Sequence, residues 1–201
     1  MANFAIDLAP LRKSKDFSLL WAAGLISYFG SMITYVAVPF QIKELTGSYV
    51  AVAISGLVEI VPLIIFGLYG GVLADALDRK KLIWVTELLS LLFTAILLIN
   101  SMMDSPNLLL IYIVSGLFAA TSGLRQPAMQ AALPRLVDHE DMTAAAALMS
   151  LRWQVGVIVG PAIGGILISS YSVAVGYAAD IATFIISIAL IAFMKNIPPS
   201  H

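Results

Sequence analysis

Three carboxylates occur within long apolar stretches of the sequence: Glu59, Glu87 and Asp180. Glu59 lies about ten residues into the second of six apolar runs, or roughly 15 Å along a helix, and Asp180 lies about eight residues into the sixth, or roughly 12 Å. A charge in hydrocarbon costs at least about 2.5 kcal/mol, so each side chain should face protein or a water-filled cavity. The chemistry that fits such carboxylates is reversible proton uptake.

Glu59 and Asp180 are therefore our main candidates for proton coupling, and Glu87, near one end of its run, is a third with a more structural position. The alternative for each is a protonated or hydrogen-bonded carboxylate that serves packing. Polar residues at helical spacing accompany two of the three, which favours contact with protein. The two polar stripes are Gly176, Asp180, Thr183 and Ser187 in the sixth run and Glu87, Ser90 and Thr94 in the third.

A polar and aromatic face marks the first apolar run. It is formed by Ser27, Ser31 and Thr34, with Tyr28 and Tyr35 beside them. Such a face can form hydrogen bonds between helices, or it can line a ligand cavity.

The elements that must position these residues are six apolar runs. The chain has 201 residues, of which 60% are hydrophobic and 11% charged, with a mean hydropathy of +0.96. Soluble domains carry about 25% charged residues, so lipid must be the solvent for much of this surface. The runs cover about 17–40, 49–74, 82–102, 108–124, 148–169 and 173–194. Their length and lack of alternation predict an all-α integral membrane protein, a bundle of six transmembrane helices.

Lysine and arginine predict the orientation of this bundle. With the N-terminus inside the cell, ten of the eleven Lys and Arg residues fall on the inner side and only Lys43 falls outside. This bias predicts a multi-pass protein of the cell membrane with both termini cytoplasmic. We accordingly expect a cytoplasmic segment at 1–16, a transmembrane domain at 17–194 and the start of a cytoplasmic linker at 195–201.

The longest predicted connection, 125–143, joins the fourth and fifth runs. We expect its second half to lie along the inner surface and Thr143 to cap the next helix. Arg125 and Arg152 fall near predicted helix ends, so we expect their long side chains to reach the lipid headgroups.

Two motifs combine small residues with charges or a proline. The first joins the second and third runs and contains Gly70, Gly71, Asp75, Asp78, Arg79, Lys80 and Lys81. Its glycines permit close helix approach, and its basic residues are expected to hold the loop on the anionic inner surface. This pattern fits a moving joint between helices, and a simple positive-inside anchor is the alternative.

The second motif spaces Gly156, Gly160 and Gly164 four residues apart on one helix face. Pro161 removes a backbone hydrogen bond to Val157 and should bend the helix. The pattern suits a helix that rocks against a partner, and ordinary small-residue packing is the alternative.

These two motifs resemble the signature sequences of the major facilitator superfamily, namely the loop between helices two and three and the Gly-Pro motif of helix five in its exporters. Residues 126–137 are similar to the enterobactin-exporter-like branch. The resemblance covers all 201 residues, which correspond to the first six of the family's twelve helices. Ala76 stands where the family has an arginine, which implies a weaker charge contact at the inner gate.

The resemblance implies proton-coupled efflux of small amphipathic molecules, siderophore-like or drug-like, by alternating access, with the chain acting as half of a transporter or as a truncated one. It implies a second six-helix half as partner, either a C-terminal half or a second copy, facing an exposed glycine surface. It makes Tyr28, Ser31 and Tyr35 candidate substrate contacts. The candidate conformational residues are Gly71, Asp75, Asp78, Arg79, Lys80, Gly156, Gly160, Pro161 and Gly164. The alternative is a non-transporting scaffold or regulatory subunit that pairs with a full-length transporter.

Enzymatic chemistry finds little support in the sequence. His139-Glu140 lacks the second histidine of a metalloprotease helix, because position 143 is threonine, and no Walker A sequence is present. There is no cysteine, which excludes thiolate metal ligands, and the net charge of −1 gives no reason to expect nucleic acid. We therefore expect no catalytic residues, cofactor or metal.

Overall fold

The computed structural model describes residues 7–198. The helices are α1 (Ala9–Lys13), α2 (Lys15–Thr46), α3 (Tyr49–Ala76), α4 (Arg79–Ser101), α5 (Leu108–Leu136), α6 (Met142–Ser170) and α7 (Val173–Ala192), with a short 3-10 helix at His139–Asp141. Within the described residues, the six helices α2 to α7 are long and apolar enough to cross a membrane. The predicted all-α bundle of six transmembrane helices is confirmed. The outer parts of the two predicted terminal segments, 1–6 and 199–201, lie outside the described residues.

Polar residues in the connections start five of the spanning helices. In each case a side-chain oxygen accepts a hydrogen bond from a backbone N–H three residues later, which satisfies an otherwise unpaired donor. These capping residues are Ser14, Ser48, Asp78, Asn107 and Ser172. Gly47 ends α2 in the left-handed conformation with φ of 65°, so two residues suffice to reverse the chain into α3.

Most of the helix pairs that hold the bundle are not consecutive in the chain. Helix α3 packs on α5, α2 packs on both α7 and α6, and α4 packs on α5 and α7. Glycines bring α3 and α5 together, because a Cβ on Gly123 would lie 2.6 Å from the carbonyl oxygen of Leu63, and one on Gly70 would lie 3.0 Å from that of Gly123. The predicted close approach therefore holds for Gly70. A Cβ on Gly71 would meet no described atom within 4 Å, so no helix within residues 7–198 approaches Gly71 closely.

The glycine face of α6 packs against α2, so the expectation that it is exposed to a second half is wrong. A Cβ on Gly156 would lie 2.3 Å from Cδ1 of Tyr28, and one on Gly160 would lie 2.4 Å from Cβ of Met32. Gly164 faces Ile33 in the same way. The small residues are used inside the bundle because they allow two backbones to approach closely.

Helix α5 continues through Pro127 and Pro134, so the predicted long loop is also wrong. Only residues 137–141 separate α5 from α6, and Thr143 lies inside α6 rather than at its cap, which is Asp141. Each proline costs one backbone hydrogen bond, but it need not end a helix that is held by packing. The side chains of Ala128, Met129 and Ala132 supply that packing in a buried apolar cluster.

Candidate functional site

A cavity of about 500 Å³ opens between α2, α3 and α5, with contributions from α4 and α6. The predicted substrate contacts Tyr28, Ser31 and Tyr35 all line it, and so does Glu59. Its remaining polar lining includes Arg125 and Gln126 of α5, and Trp153 of α6 adds an aromatic surface. Four of the predicted site residues therefore share one cavity of the size that binds small molecules.

The three predicted contacts differ in what they present to this cavity. Ser31 is buried, and its hydroxyl donates to the carbonyl oxygen of Ser27 at 2.9 Å. Tyr35 is exposed, with 61% of its surface accessible. The ring of Tyr28 lies directly on Gly156, so the missing side chain on α6 is what allows the ring its position.

Glu59 is a half-buried carboxylate on the cavity wall. Among residues 7–198, no hydrogen bond or ion pair reaches it. It therefore faces the cavity, as the cost of burying a charge in lipid predicts.

Asp180 is fully buried between α2, α4 and α7. Its Oδ2 accepts hydrogen bonds from Thr34 at 2.5 Å and from Thr94 at 3.3 Å. Gly30 makes room for the group, because a Cβ there would lie 2.5 Å from Oδ1 of Asp180. The prediction that this carboxylate faces protein is confirmed, and its hydroxyl partners separate it from the cavity that contains Glu59.

Glu87 lies at the centre of a buried polar cluster. Its Oε1 accepts from Ser27 at 2.9 Å and from Arg125 at 2.6 Å, while its Oε2 has no hydrogen-bond partner among the described residues. Because the cluster joins α4, α2 and α5, Glu87 links three helices.

Arg125 and Arg152 are buried, so the expectation that they reach the lipid headgroups is wrong. Each is 6% exposed. Arg125 is held by its hydrogen bond to Glu87. Arg152 occupies the space left by Gly24, where a Cβ would lie 2.1 Å from a guanidinium nitrogen of Arg152. Sequence reasoning missed both arginines because the fourth apolar run was expected to end near Arg125 and the fifth to begin near Arg152, whereas α5 and α6 both extend beyond these positions. One signal in the sequence could have revealed them: a carboxylate and two arginines occur within apolar stretches, where charged groups must find partners.

The loop between α3 and α4 binds the segment that follows α7. Buried Arg79 donates from its backbone N–H to the carbonyl oxygen of Ile197 at 3.0 Å and from its guanidinium to that of Pro198. Lys80 Nζ donates to the carbonyl oxygens of Ala192, at 3.2 Å, and Met194. Carbonyls at a helix C-terminus attract cations, which explains why these two side chains turn to protein. The expectation that they lie on the lipid surface is wrong.

The other predicted residues of this loop differ in whether they contact the segment after α7. Asp78 accepts from the backbone N–H groups of Lys81 at 3.2 Å and Ile197 at 3.3 Å, whereas Asp75 is exposed and forms no hydrogen bond or ion pair within the described part of the chain. Lys81 is also exposed. The α3–α4 loop therefore holds residues 192–198 by hydrogen bonds, and we call this contact the loop clasp. The carboxylate of Asp75 lies beside it.

Helix α1 and the beginning of α2 make polar contacts on the same side of the bundle. Lys13 of α1 forms an ion pair with Asp141, its Nζ lying 2.9 Å from Oδ2, and its hydrogen bond to Oδ1 at 3.1 Å raises the pKa of Lys13. The backbone N–H of Lys195 donates to Asp16 at 3.2 Å. The first contact joins α1 to the α5–α6 connection, and the second joins α2 to the segment after α7.

Comparison with known proteins places this fold in a family. A family model described as a transmembrane secretion effector, within the major facilitator superfamily, matches residues 5–201. The chain belongs to this family. It is 33% identical to the enterobactin exporter of Salmonella choleraesuis (strain SC-B67) over 202 residues, which cover 98% of this chain and 48% of the relative.

The corresponding exporters of Salmonella typhimurium (strain LT2) and Escherichia coli O1:K1 are 32% and 31% identical, with the same coverage of 98% and 48%. The chain thus spans about half the length of the curated relatives it matches. The predicted resemblance to a six-helix half of the enterobactin-exporter-like branch is confirmed.

Proposed function

We propose that this chain is one six-helix half of an exporter that moves small amphipathic molecules, siderophore-like or drug-like, out of the cell. The observation that carries the proposal is the cavity in which Glu59, without a partner among residues 7–198, lies with Tyr28 and Tyr35. Membership of a transporter superfamily supports transport. The relatives are enterobactin exporters, which supports efflux of a small molecule.

We propose that Glu59 couples this transport to proton entry. An ionised carboxylate must keep water around it, so a cavity that contains it resists closure against lipid and protein. A protonated carboxylate loses that requirement, and the cavity can then close and reopen on the opposite side. Proton and substrate would in this way move in opposite directions. Asp180 is the second candidate and Glu87 the third, because hydroxyls or an arginine already hold their carboxylates.

The α3–α4 loop and the α6 glycine face are proposed to control the rocking of the bundle. Arg79 and Lys80 already hold the segment after α7, and the small residues of α6 allow α2 to slide against it. The residues assigned to this role are Gly71, Asp75, Asp78, Arg79, Lys80, Gly156, Gly160, Pro161 and Gly164.

A second six-helix unit, either a C-terminal half or a second copy of this chain, is proposed to complete the cavity. Helix α3 supports this, because only Ser55, Gly70 and Ala74 are buried along its 28 residues. Alternating access in this fold requires two halves that rock about a site near the membrane midplane. We place the bundle, residues 17–194, in the cell membrane with both termini cytoplasmic, as the distribution of Lys and Arg favours.

Uptake into inside-out membrane vesicles tests the function. Vesicles are prepared from cells that produce the chain alone or together with the C-terminal half of a relative, and they are challenged with fluorescent amphipathic dyes and a catecholate siderophore. We expect uptake that requires an imposed pH gradient and stops when a protonophore is added. Uptake no greater than in vesicles without the chain, in both settings, would contradict the transport proposal. Uptake that survives the protonophore would contradict proton coupling alone.

A further inference from the structure

At one end of the cavity, two buried arginines have a single bonded carboxylate between them. Arg125 and Arg152 are both buried, and their side chains interact electrostatically with each other. Glu87 is the one carboxylate bonded to either within residues 7–198. Asp180 interacts with Arg125 only through space, and threonine hydroxyls hold its carboxylate. Since burying a charge without a bonded partner is costly, the two arginines favour one further anion.

Arg152 has weak protein contacts. Its guanidinium reaches the sulfur of Met129 at 3.7 Å, and its Nε, which is buried, has no hydrogen-bond partner among the described residues. A thioether is a poor acceptor for a guanidinium. No carboxylate is therefore bonded to Arg152 within residues 7–198, and Glu87, which is bonded to Arg125, interacts with Arg152 only through space.

Arg125 presents free donors to the cavity. A guanidinium has five N–H donors, and within the described residues Arg125 uses one of its terminal nitrogens for a single hydrogen bond, to Glu87. The same side chain lines the cavity beside Tyr28 and Gln126. The hydroxyl of Tyr28 interacts electrostatically with both arginines, and neither it nor the Gln126 amide is hydrogen-bonded within residues 7–198. Three groups that can donate further hydrogen bonds thus line one cavity, and two of them, Arg125 and Tyr28, lie close enough to interact electrostatically.

The acid of the cavity lies elsewhere. Glu59 is on α3, about ten residues from the start of that helix, whereas Arg125 is about seventeen residues from the start of α5, which runs in the same direction, so the two are offset by roughly 10 Å along the helices. The cavity therefore separates a free carboxylate from a group of donors.

We propose that the Arg125 end of the cavity binds an acidic group of the transported molecule, a carboxylate or a comparable oxyanion. Arg125, Tyr28 and Gln126 supply the donors, and Arg152 is a positioning residue that adds positive potential behind them. Glu87 competes with the ligand for Arg125. The inference rests on the proposed function and narrows its substrate class to amphipathic organic acids.

Equilibrium dialysis of the purified chain in lipid nanodiscs tests this, with 2-naphthoate as the acidic probe and 2-naphthylmethanol as its neutral counterpart. Empty nanodiscs measure partition into lipid, which is subtracted. We expect the chain to bind naphthoate at least about tenfold more tightly than the alcohol, because hydrogen bonds to a charged group are stronger than neutral ones. Equal binding of the two probes would overturn the inference. So would tighter binding of 2-naphthylmethylammonium, which would assign the cavity to cations through Glu59.

Variants identify the residues responsible. Arg125→Gln should abolish the preference for the acid and Arg152→Gln should reduce it severalfold, whereas the same change at exposed Arg12 should leave it intact. Glu87→Gln should raise the affinity for naphthoate about threefold or more, because it removes the competing carboxylate; a merely structural ion pair predicts no gain. If Arg125→Gln does not fold, the double variant Arg125→Gln/Glu87→Gln removes both charges together and must still lose the preference.

The outcome is separable from that of the vesicle assay. Arginine-dependent binding of naphthoate without vesicle uptake would support the acidic site and contradict the export function. Vesicle uptake with no preference between acid and alcohol would support export and overturn the acidic site.

Discussion

Glu59 differs from the other two intramembrane carboxylates in having no protein partner within the described chain. Asp180 is held by threonine hydroxyls and Glu87 by Arg125, so a change of protonation at either would disturb bonds that join helices. Glu59 can take up or release a proton into the cavity without breaking such bonds. This difference is the reason to assign proton coupling to Glu59 first.

Glu59→Gln should leave the chain folded and abolish uptake driven by a pH gradient, because the amide keeps the shape of the side chain but cannot titrate. The measurement is dye uptake by inside-out vesicles, normalised to the amount of monodisperse protein. Glu44→Gln, at an exposed position near the end of α2, is the matched control and should retain full coupling. Unchanged coupling in Glu59→Gln would remove Glu59 from the mechanism.

Asp180→Leu should destabilise the bundle, because the hydroxyls of Thr34 and Thr94 lose their shared acceptor. Hydrogen bonds between membrane helices contribute about 1–2 kcal/mol at most, so we expect a loss of about that size. Asp180→Asn keeps an acceptor oxygen and should lose much less. Thermal unfolding in detergent, followed by size-exclusion chromatography, compares the two; a leucine variant as stable as the parent would contradict the role assigned to these bonds.

The sequence was enough to locate the buried carboxylates but not the side chains that bond to them. The energetic cost of charge in lipid was enough to predict that Glu87 and Asp180 face protein. Arg125 was assigned to the lipid headgroups because prolines two and nine residues later suggested a loop, whereas packing of Ala128 and Ala132 keeps the helix intact. Local backbone preference could not reveal that tertiary contact.

Two helices, α2 and α6, approach so closely that their contact depends on missing side chains. Gly160 meets Met32 and the carbonyl oxygen of Phe29, and Gly156 meets Tyr28. The second contact also sets the ring at the cavity wall. The glycine spacing therefore connects the packing of α6 to the geometry of the candidate site.

Gly160→Ala should lower stability by about 1–3 kcal/mol, the usual cost of an overpacked contact, because its Cβ would lie 2.4 Å from that of Met32. Gly71→Ala is the matched control, since open space surrounds that position and alanine favours a helix by about 0.5–1 kcal/mol. Thermal unfolding of the two variants in one detergent checks the prediction. Equal effects would show that crowding between α2 and α6 is not what makes Gly160 necessary.

The loop clasp between the α3–α4 loop and residues 192–198 can be tested by proteolysis. Lys80→Ala should release the segment after α7, because Lys80 Nζ no longer binds the carbonyl oxygens of Ala192 and Met194. Trypsin should then cleave after Lys195 at least severalfold faster, as mass spectrometry of a time course would show. Lys81→Ala, which removes a neighbouring exposed lysine, is the control and should not accelerate cleavage. Equal rates in both variants would mean that the clasp does not protect the segment.

The elements themselves were predictable because a spanning helix has a fixed length and composition. All six runs became helices, with ends that shifted by several residues at most, except where α5 and α6 extend toward each other. What spacing did not determine is which helix each small-residue face meets. The face of α6 was expected to contact another half, and it contacts α2.

For the whole molecule, the state of assembly decides whether the cavity is complete. We expect the purified chain in mild detergent, corrected for bound detergent, to have a protein mass of about twice 21.5 kDa if a second copy supplies the other half. Multi-angle light scattering provides the measurement. A monodisperse monomer would exclude the homodimer, leaving a C-terminal half as the proposed partner.

The contact between α2 and α7 has a consequence for how the chain is made. Thr34 and Asp180 are 146 residues apart, so the hydrogen bond between them must wait for almost the whole bundle to be synthesised. At about 5–20 residues per second, this delay is roughly 7–30 s. During that interval Thr34 of α2 lacks the acceptor that it has in the folded bundle, whereas Ser27 of the same helix can already bond to Glu87, which is only 60 residues away. The synthesis of this bundle therefore includes an interval in which α2 waits for α7 before their hydrogen bond can form.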